Sequence, residues 1–320
     1  MQGIVSGDRS AVVADGLSKS FGEIQAVRNL SFVAYPGEVM GLLGPNGAGK
    51  TTTVKMLTTL LPIDAGIATV VGFDVASQPN AVRQAIGLAG QAAAVDEKLT
   101  ARENLELFGR LYKLPKADRQ QRIEELIDRF ELTEFASRTV DTYSGGQRRR
   151  LDVVASLIAA PPVLFLDEPT TGLDPRSRAE LWSEIRTLAA DGTAVVLTTQ
   201  YLDEADQLSD RIVIIDEGQI RASGTATQLK DDLERNVLEV HVASLDDLAR
   251  AIDTLTGVAP QVSTDRDAAS LQIPMANGAD QSMQVLRSLD EANVEIRDFQ
   301  LRKPTLDDVF LALTATEDRS

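Results

Sequence analysis

The chain has 320 residues, 43% hydrophobic and 25% charged, a size and balance that fit about two globular domains with ordinary cores. Its 32 Lys+Arg against 48 Asp+Glu leave a formal charge of −16, which argues against a general affinity for DNA, RNA or anionic lipid surfaces. There is no cysteine and a single histidine, His241, so disulfides and thiolate metal sites are excluded and imidazole chemistry has little scope; His241 reads as a partly buried strand residue.

No run approaches the roughly 18 consecutive apolar residues of a spanning helix, and the start MQGIVSGDRS lacks the basic and apolar regions of a signal peptide. The chain is therefore expected to be soluble. From Ala11 to about Leu233 strand-like and helix-like segments alternate, the pattern of an α/β domain. Val39–Leu43 is an apolar run ending in a Gly-rich turn, with a helix predicted from Lys50 to about Leu60. Ala101–Tyr112 and Asp118–Phe130 have helical periodicity with charged outer faces and read as a helical insert, about residues 92–160. Val163–Leu166, Ala194–Thr198 and Ile212–Ile215 read as buried strands. Between the first two, Pro175–Ala189 fits a helix with Asp174 as its N-cap.

Beyond Asp232 the texture changes. Val237–Val242 alternates like a strand, and Ser244 with Asp247 opens a helix in the manner of a capping box. Weak strands follow near Gln261–Thr264 and Ser270–Ile273, then a helix near Ala279–Leu289, a strand near Val294–Leu301, and a last helix after Pro304-Thr305. This βαββαβ-like order predicts a separate α+β domain over residues 235–320. It carries no catalytic motif.

The chemistry is concentrated in a few places. Gly44, Pro45, Asn46, Gly47, Ala48, Gly49, Lys50 and Thr51, followed by Thr52, match G-x-x-x-x-G-K-[ST] between a strand and a helix. The glycines let backbone N–H groups converge on phosphates, and the helix N-terminus adds a positive dipole end. Lys50 can reach the β- and γ-phosphates, and the Thr51 hydroxyl can bind Mg²⁺. Downstream, VLFLDEP sets Asp167 and Glu168 at the end of a buried strand, where one carboxylate can serve Mg²⁺ and its neighbour can polarise an attacking water.

Ser144-Gly145-Gly146-Gln147, preceded by Tyr143 and followed by a helical segment, resembles the LSGGQ signature of ABC ATPases. The motif order agrees: phosphate loop, Gln91, signature, Asp167-Glu168, Leu173-Asp174, then a switch segment. The resemblance covers about residues 11–233 and implies a P-loop NTPase fold of the ABC type with a helical subdomain, acting on ATP with Mg²⁺. It also implies a head-to-tail dimer in which each ATP lies between one phosphate loop and the other subunit's signature. By the same resemblance Phe21 stacks on adenine, Gln91 senses Mg²⁺ and couples to the transport partner, and Asp174 sits at the dimer seam. The metal set is then Thr51, Gln91 and Asp167. A Ser-Gly-Gly turn at a helix N-terminus is itself suited to anions.

One position departs from the family pattern. In TTQYLDEA the switch residue, usually histidine, is Gln200, which can donate a hydrogen bond to a γ-phosphate but cannot become cationic. Glu168 and Lys50 are then expected to carry hydrolysis, with Gln200 as a neutral contact. The run Arg148–Arg150 reads as a solvated or phosphate-proximal helix face, and no nucleic-acid partner is expected.

The segments TYSGGQRRRLDVVASLI, DEPTTGLDPRSRAELW, LTTQYLDEADQLSDRI and RKPTLDDVFLALT together resemble the ATPase subunit of daunorubicin/doxorubicin-resistance-type exporters. That branch implies a separate ABC-2-type permease, export of hydrophobic compounds, and a place on the cytoplasmic face of the cell membrane. The surface from Gln91 to Tyr112 is the expected dock for a permease helix. The alternative is an ATP-dependent regulatory switch not engaged in transport. A DNA-maintenance ATPase would need a long coiled-coil insertion, for which the interval from Lys50 to Thr142 leaves no room.

Overall fold

The computed structural model describes residues 10–233, 236–256, 262–275 and 278–314. The chain divides into two units, Met1–Ala226 and Thr227–Ser320. The first runs β1 (Val12–Phe21), β2 (Ile24–Ala34), β3 (Val39–Leu43), α1 (Lys50–Leu57), β4 (Ala65–Val70), β5 (Phe73–Asp74), α2 (Pro79–Ala85) and β6 (Ile86–Ala89). It continues with α3 (Ala101–Leu111), α4 (Lys116–Arg129), α5 (Gly145–Ser156), β7 (Val163–Asp167), α6 (Pro175–Ala190), β8 (Ala194–Thr199), α7 (Leu202–Leu208), β9 (Arg211–Asp216) and β10 (Gln219–Gly224). The short α8 (Ala226–Asp231) lies at the boundary.

The larger sheet has six strands in the order β10-β9-β3-β8-β7-β6, parallel except for the edge strand β10. Every residue of β3, β7 and β8 is buried, which is why these strands read as unbroken apolar runs rather than alternating ones. In register, Asp167 stands beside Thr198 and Leu43 beside Thr199. The phosphate loop and the paired carboxylates therefore leave the sheet at the same edge, the carboxyl ends of its strands, where open parallel sheets bind ligands.

A second sheet, β2-β1-β4-β5, is antiparallel. The pattern of alternating strands and helices gives no sign of it, because β1 shifts register between Ala14 and Leu17, around Gly16 with φ +63°, so its hydrophobic alternation is broken. The helical insert is α3, α4 and α5. Thr100 and Glu103 form a reciprocal capping box at α3. On α4, Ile123, Leu126 and Ile127, with Phe130 at its end, form one buried stripe at helical spacing. Each such side chain contributes about 1.5–3 kcal/mol by burial.

The second unit runs β11 (Asn236–Val242), α9 (Leu245–Leu255), β12 (Ser263–Asp265), β13 (Ser270–Met275), α10 (Gly278–Glu291), β14 (Ile296–Arg302) and α11 (Leu306–Thr314). Its antiparallel sheet has the order β12-β13-β11-β14, the ferredoxin-like arrangement of a βαββαβ chain. Leu238, Val240 and Val242 form its core with Leu248, Leu255, Val285 and Leu289 from α9 and α10. The Ser244–Asp247 cap forms in part: the Ser244 hydroxyl accepts the Asp247 N–H at 3.1 Å, but the Asp247 carboxylate returns to that hydroxyl and to the Glu295 N–H. Asp is one methylene shorter than the Glu of a full capping box. Gln261, the start of one predicted strand, lies outside the described residues. His241 is half-buried on β11, with Nε2 3.2 Å from Glu239 Oε1.

Candidate active site

The turn between β3 and α1 is shaped by glycine. Gly49 has φ +101°, and an added Cβ would collide with the Ala26 carbonyl; at Gly44 it would collide with the Ile215 carbonyl. Larger residues would push the loop away from its neighbouring strands. The loop residues Asn46–Thr52 line a cavity of about 130 Å³ together with Gln91 and Glu168.

Lys50 is 4% exposed, and its ammonium donates to the Gly44 and Pro45 carbonyls at 2.7 and 2.9 Å. It lies 3.7 Å from Glu168 Oε1. Burial holds its pKa below the ordinary lysine range, with Glu168 and then Asp167 opposing. Thr51 Oγ1 donates to Asp167 Oδ1 at 3.0 Å, and Gln91 Nε2 donates to Thr51 Oγ1 at 3.2 Å. Asp167 is further fixed by Thr198, whose hydroxyl donates to the same Oδ1 at 2.6 Å. The Glu168 N–H donates to Thr198 Oγ1 and O, at 3.0 and 3.1 Å. Glu168 itself has φ +52°, a left-handed conformation that costs a non-glycine residue about 1–3 kcal/mol. That strain turns its carboxylate out of the strand and toward the cavity.

The structure thus brings Lys50, Thr51, Gln91, Asp167 and Glu168 together. Phe21, 47% exposed, ends the β1–β2 hairpin whose return strand passes Gly49 at Ala26, and Lys19 Nζ stands 5.7 Å from its ring. Gln200 is half-buried just beyond β8. Among the described residues no hydrogen bond joins it to the cluster.

The turn Ser144–Gln147 belongs to a different place. Ser144 caps α5, its hydroxyl accepting the Gln147 N–H at 3.2 Å while the Gln147 amide accepts the Ser144 N–H at 3.0 Å. Gly146 packs near Leu173 and Ser177. Asp174 caps α6 through the Arg176 and Ser177 N–H groups, both at 3.0 Å, and the Ser177 N–H leads in holding its carboxyl below the ordinary range. Neither Ser144–Gln147 nor Asp174 lines the phosphate-loop cavity.

Three further groups escape sequence reasoning. Thr198 anchors Asp167, and its only signal is a hydroxyl at the end of an apolar run. Glu204, fully buried, accepts from Thr170 Oγ1 at 2.8 Å and Trp182 Nε1 at 2.9 Å, tying α7 to the segment after Glu168 and to α6. Arg149 corrects the reading of its run as a solvated or phosphate-proximal face. Arg148 and Arg150 do pair outward, with Glu97 and Glu180, but Arg149 is 8% exposed.

Comparison with known proteins decides the family. An ABC transporter family model matches residues 27–171, and the model for the C-terminal domain of DrrA1-3-like ATP-binding proteins matches residues 224–314. The chain is 49% identical to the daunorubicin resistance ATP-binding protein DrrA2 of Streptomyces coeruleorubidus over 96% of each chain. The chain belongs to the DrrA-type ATP-binding subunits of ABC transporters. It is also 45% identical to the doxorubicin resistance ATP-binding protein DrrA of Mycobacterium tuberculosis, over 98% of this chain and 96% of that one. Among solved structures it is similar to a dimeric ATP-binding cassette in a post-hydrolysis state with ADP and Pi, at 25% identity and TM-score 0.61, over 67% of this chain and 98% of that one. As a member of this family the chain binds and hydrolyses ATP and is the ATPase subunit of an exporter. Among the described residues no helix is long and apolar enough to cross a membrane.

Proposed function

We propose that the chain drives efflux of hydrophobic drug-like compounds through a separate ABC-2-type permease at the cytoplasmic face of the membrane. ATP is hydrolysed between two copies arranged head to tail. The observation that carries this reading is the separation of the partly exposed Ser144–Gln147 turn from the phosphate-loop cavity within one chain. The relatives named for daunorubicin and doxorubicin resistance support the cargo class. We assign residues 11–233 to the ATPase domain and 235–320 to an accessory domain that braces or regulates the dimer.

Lys50 and the N–H groups of Gly44–Thr52 hold the β- and γ-phosphates of ATP. Phe21 stacks on adenine. The oxygens of Thr51 and Asp167, with the Gln91 amide turned to present its carbonyl, form a hard donor set that suits Mg²⁺. Among the described residues no group of three or more His, Cys, Asp and Glu could hold a metal ion; Mg²⁺ sites at phosphates use one or two carboxylates with substrate oxygens. Mg²⁺ supplies charge neutralisation of the phosphate oxygens. Glu168, with Lys50 Nζ 3.7 Å from its Oε1, accepts a proton from the attacking water. Gln200 donates a neutral hydrogen bond to the γ-phosphate, while Ser144–Gln147 and Asp174 serve the site of the second copy.

The test is co-expression with a candidate ABC-2-type permease. Cells carrying both should accumulate less daunorubicin than cells carrying the permease with the Glu168→Gln chain. Equal accumulation in the two would remove the drug-efflux reading.

A further inference from the structure

The buried Arg149 sits one turn into α5 and reaches two distant segments. Its Nη2 donates to the Asp167 carbonyl at 2.8 Å and its Nε to the Pro169 carbonyl at 3.0 Å, on either side of Glu168. Its Nη1 donates to the Gly90 carbonyl, immediately before Gln91. Nη1 also stands 3.4 Å from Asp152 Oδ2, one turn further along the helix. Asp152, 2% exposed, accepts the Ala94 N–H at 2.6 Å. One ion pair therefore grips the chain on both sides of Gln91 and on both sides of Glu168.

A pair like this is a costly way to gain stability alone. Burial works against the Arg149 charge, with Asp152, Asp167, Glu168 and Glu204 opposing in that order. Burial also raises the Asp152 carboxyl, against the Ala94 N–H and Arg149. Neutral replacements of buried pairs are commonly as stable as the pair. What a neutral pair cannot reproduce is a planar fork donating to three carbonyls at once, and lysine lacks that fork too.

We propose that Arg149, oriented by Asp152, is a positioning residue that holds the Gln91 loop and the Asp167–Pro169 turn in register, so that Gln91 and Asp167 converge on Thr51. This rests on the reading of Thr51, Gln91 and Asp167 as the metal set. The pair acts on the groups around the metal and leaves the phosphate loop itself untouched. Its loss therefore weakens metal binding without weakening nucleotide binding.

The experiment uses the full chain loaded with ATP at low temperature, with Mn²⁺ as the probe and bound Mn²⁺ counted by electron paramagnetic resonance. Two variants are compared with the parent, Arg149→Lys and the neutral pair Arg149→Met/Asp152→Asn, whose Asn keeps an acceptor for the Ala94 N–H. In both, the half-saturating Mn²⁺ concentration rises about ten-fold, as for other outer-shell partners of metal ligands, while ATP affinity in EDTA stays within about two-fold. If the lysine variant fails to fold, the neutral pair decides. A folded neutral pair with the parent's Mn²⁺ affinity reduces Arg149 to a stabilising role and overturns the proposal. Thr51→Ala and Asp167→Asn test the metal set separately from Arg149. If neither changes Mn²⁺ affinity in the parent, the metal reading fails and this proposal falls with it; if they do and the Arg149 variants do not, only the proposal falls.

Discussion

Two polar regions of the ATPase domain differ in where their hydrogen bonds go. Around the phosphate loop, Lys50, Thr51, Gln91, Asp167, Glu168 and Thr198 are bonded or paired to one another across four segments of the chain. At the signature turn, Ser144 and Gln147 cap each other locally, and the Ser144 carbonyl accepts the Arg148 N–H of the same helix start at 3.0 Å. The first region is assembled by the fold, whereas the second is a local cap at one helix start. The difference supports the proposal that one chain carries two separate halves of an ATP site, completed by a second copy.

The largest effect should come from the assembled region. Glu168→Gln keeps the side-chain shape and loses the base, and ATP hydrolysis by the permease complex should fall by about a hundred-fold or more, with ATP binding retained. Hydrolysis near the parent rate would mean that another group accepts the proton. Next comes the signature turn. Ser144→Ala removes an N-cap worth about 1 kcal/mol and one donor to the second copy's nucleotide, and steady-state kinetics should show kcat down by about ten-fold. ATP affinity of the isolated chain should not move. A loss of affinity there would break the separation between the two regions.

Gln200 should matter less than either. As a single neutral contact, its replacement by Ala should slow hydrolysis by about three-fold. A loss as large as that of Glu168→Gln would contradict the reading of Gln200 as a single neutral contact.

The smallest effect on hydrolysis, none, is expected from Asp308 in the second unit. Asp308 accepts two hydrogen bonds from Arg302, at 2.6 and 3.2 Å, and caps α11 through the Thr305 N–H at 2.7 Å. Burial alone would raise its pKa, but Arg302 and Thr305 outweigh that and hold it below the ordinary carboxylate value. A depressed folded-state pKa contributes stability above the unfolded value, and that contribution is lost as pH falls through the folded value. The melting difference between parent and Asp308→Asn should therefore be widest near neutral pH and close in acid below the ordinary carboxylate range. A difference that grew on acidification would reverse the assigned sign.

Legibility in the sequence followed the same division. The phosphate loop, the Asp167-Glu168 strand end and the caps at Asp174 and Ser144 are local, so contiguous residue types announce them. The order of the second unit was also legible, from the alternation of Val237–Val242 and the helical periods of α9 and α10, while its strands near 261–264 and 270–273 read only weakly. Arg149 was not: three arginines in a row look solvated, and only carbonyls from Gly90, Asp167 and Pro169, far apart in sequence, make one of them an interior residue. The antiparallel β1-β2-β4-β5 sheet was hidden by the irregularities in β1.

The central claim is that each ATP is held between the phosphate loop of one copy and the signature turn of another. Sedimentation velocity with ATP tests it most directly, using the Glu168→Gln chain, which binds ATP without consuming it. Glu168→Gln should form an ATP-dependent dimer, and adding Ser144→Arg should leave a monomer of unchanged ATP affinity. An ATP-dependent dimer that survives Ser144→Arg would contradict the claim.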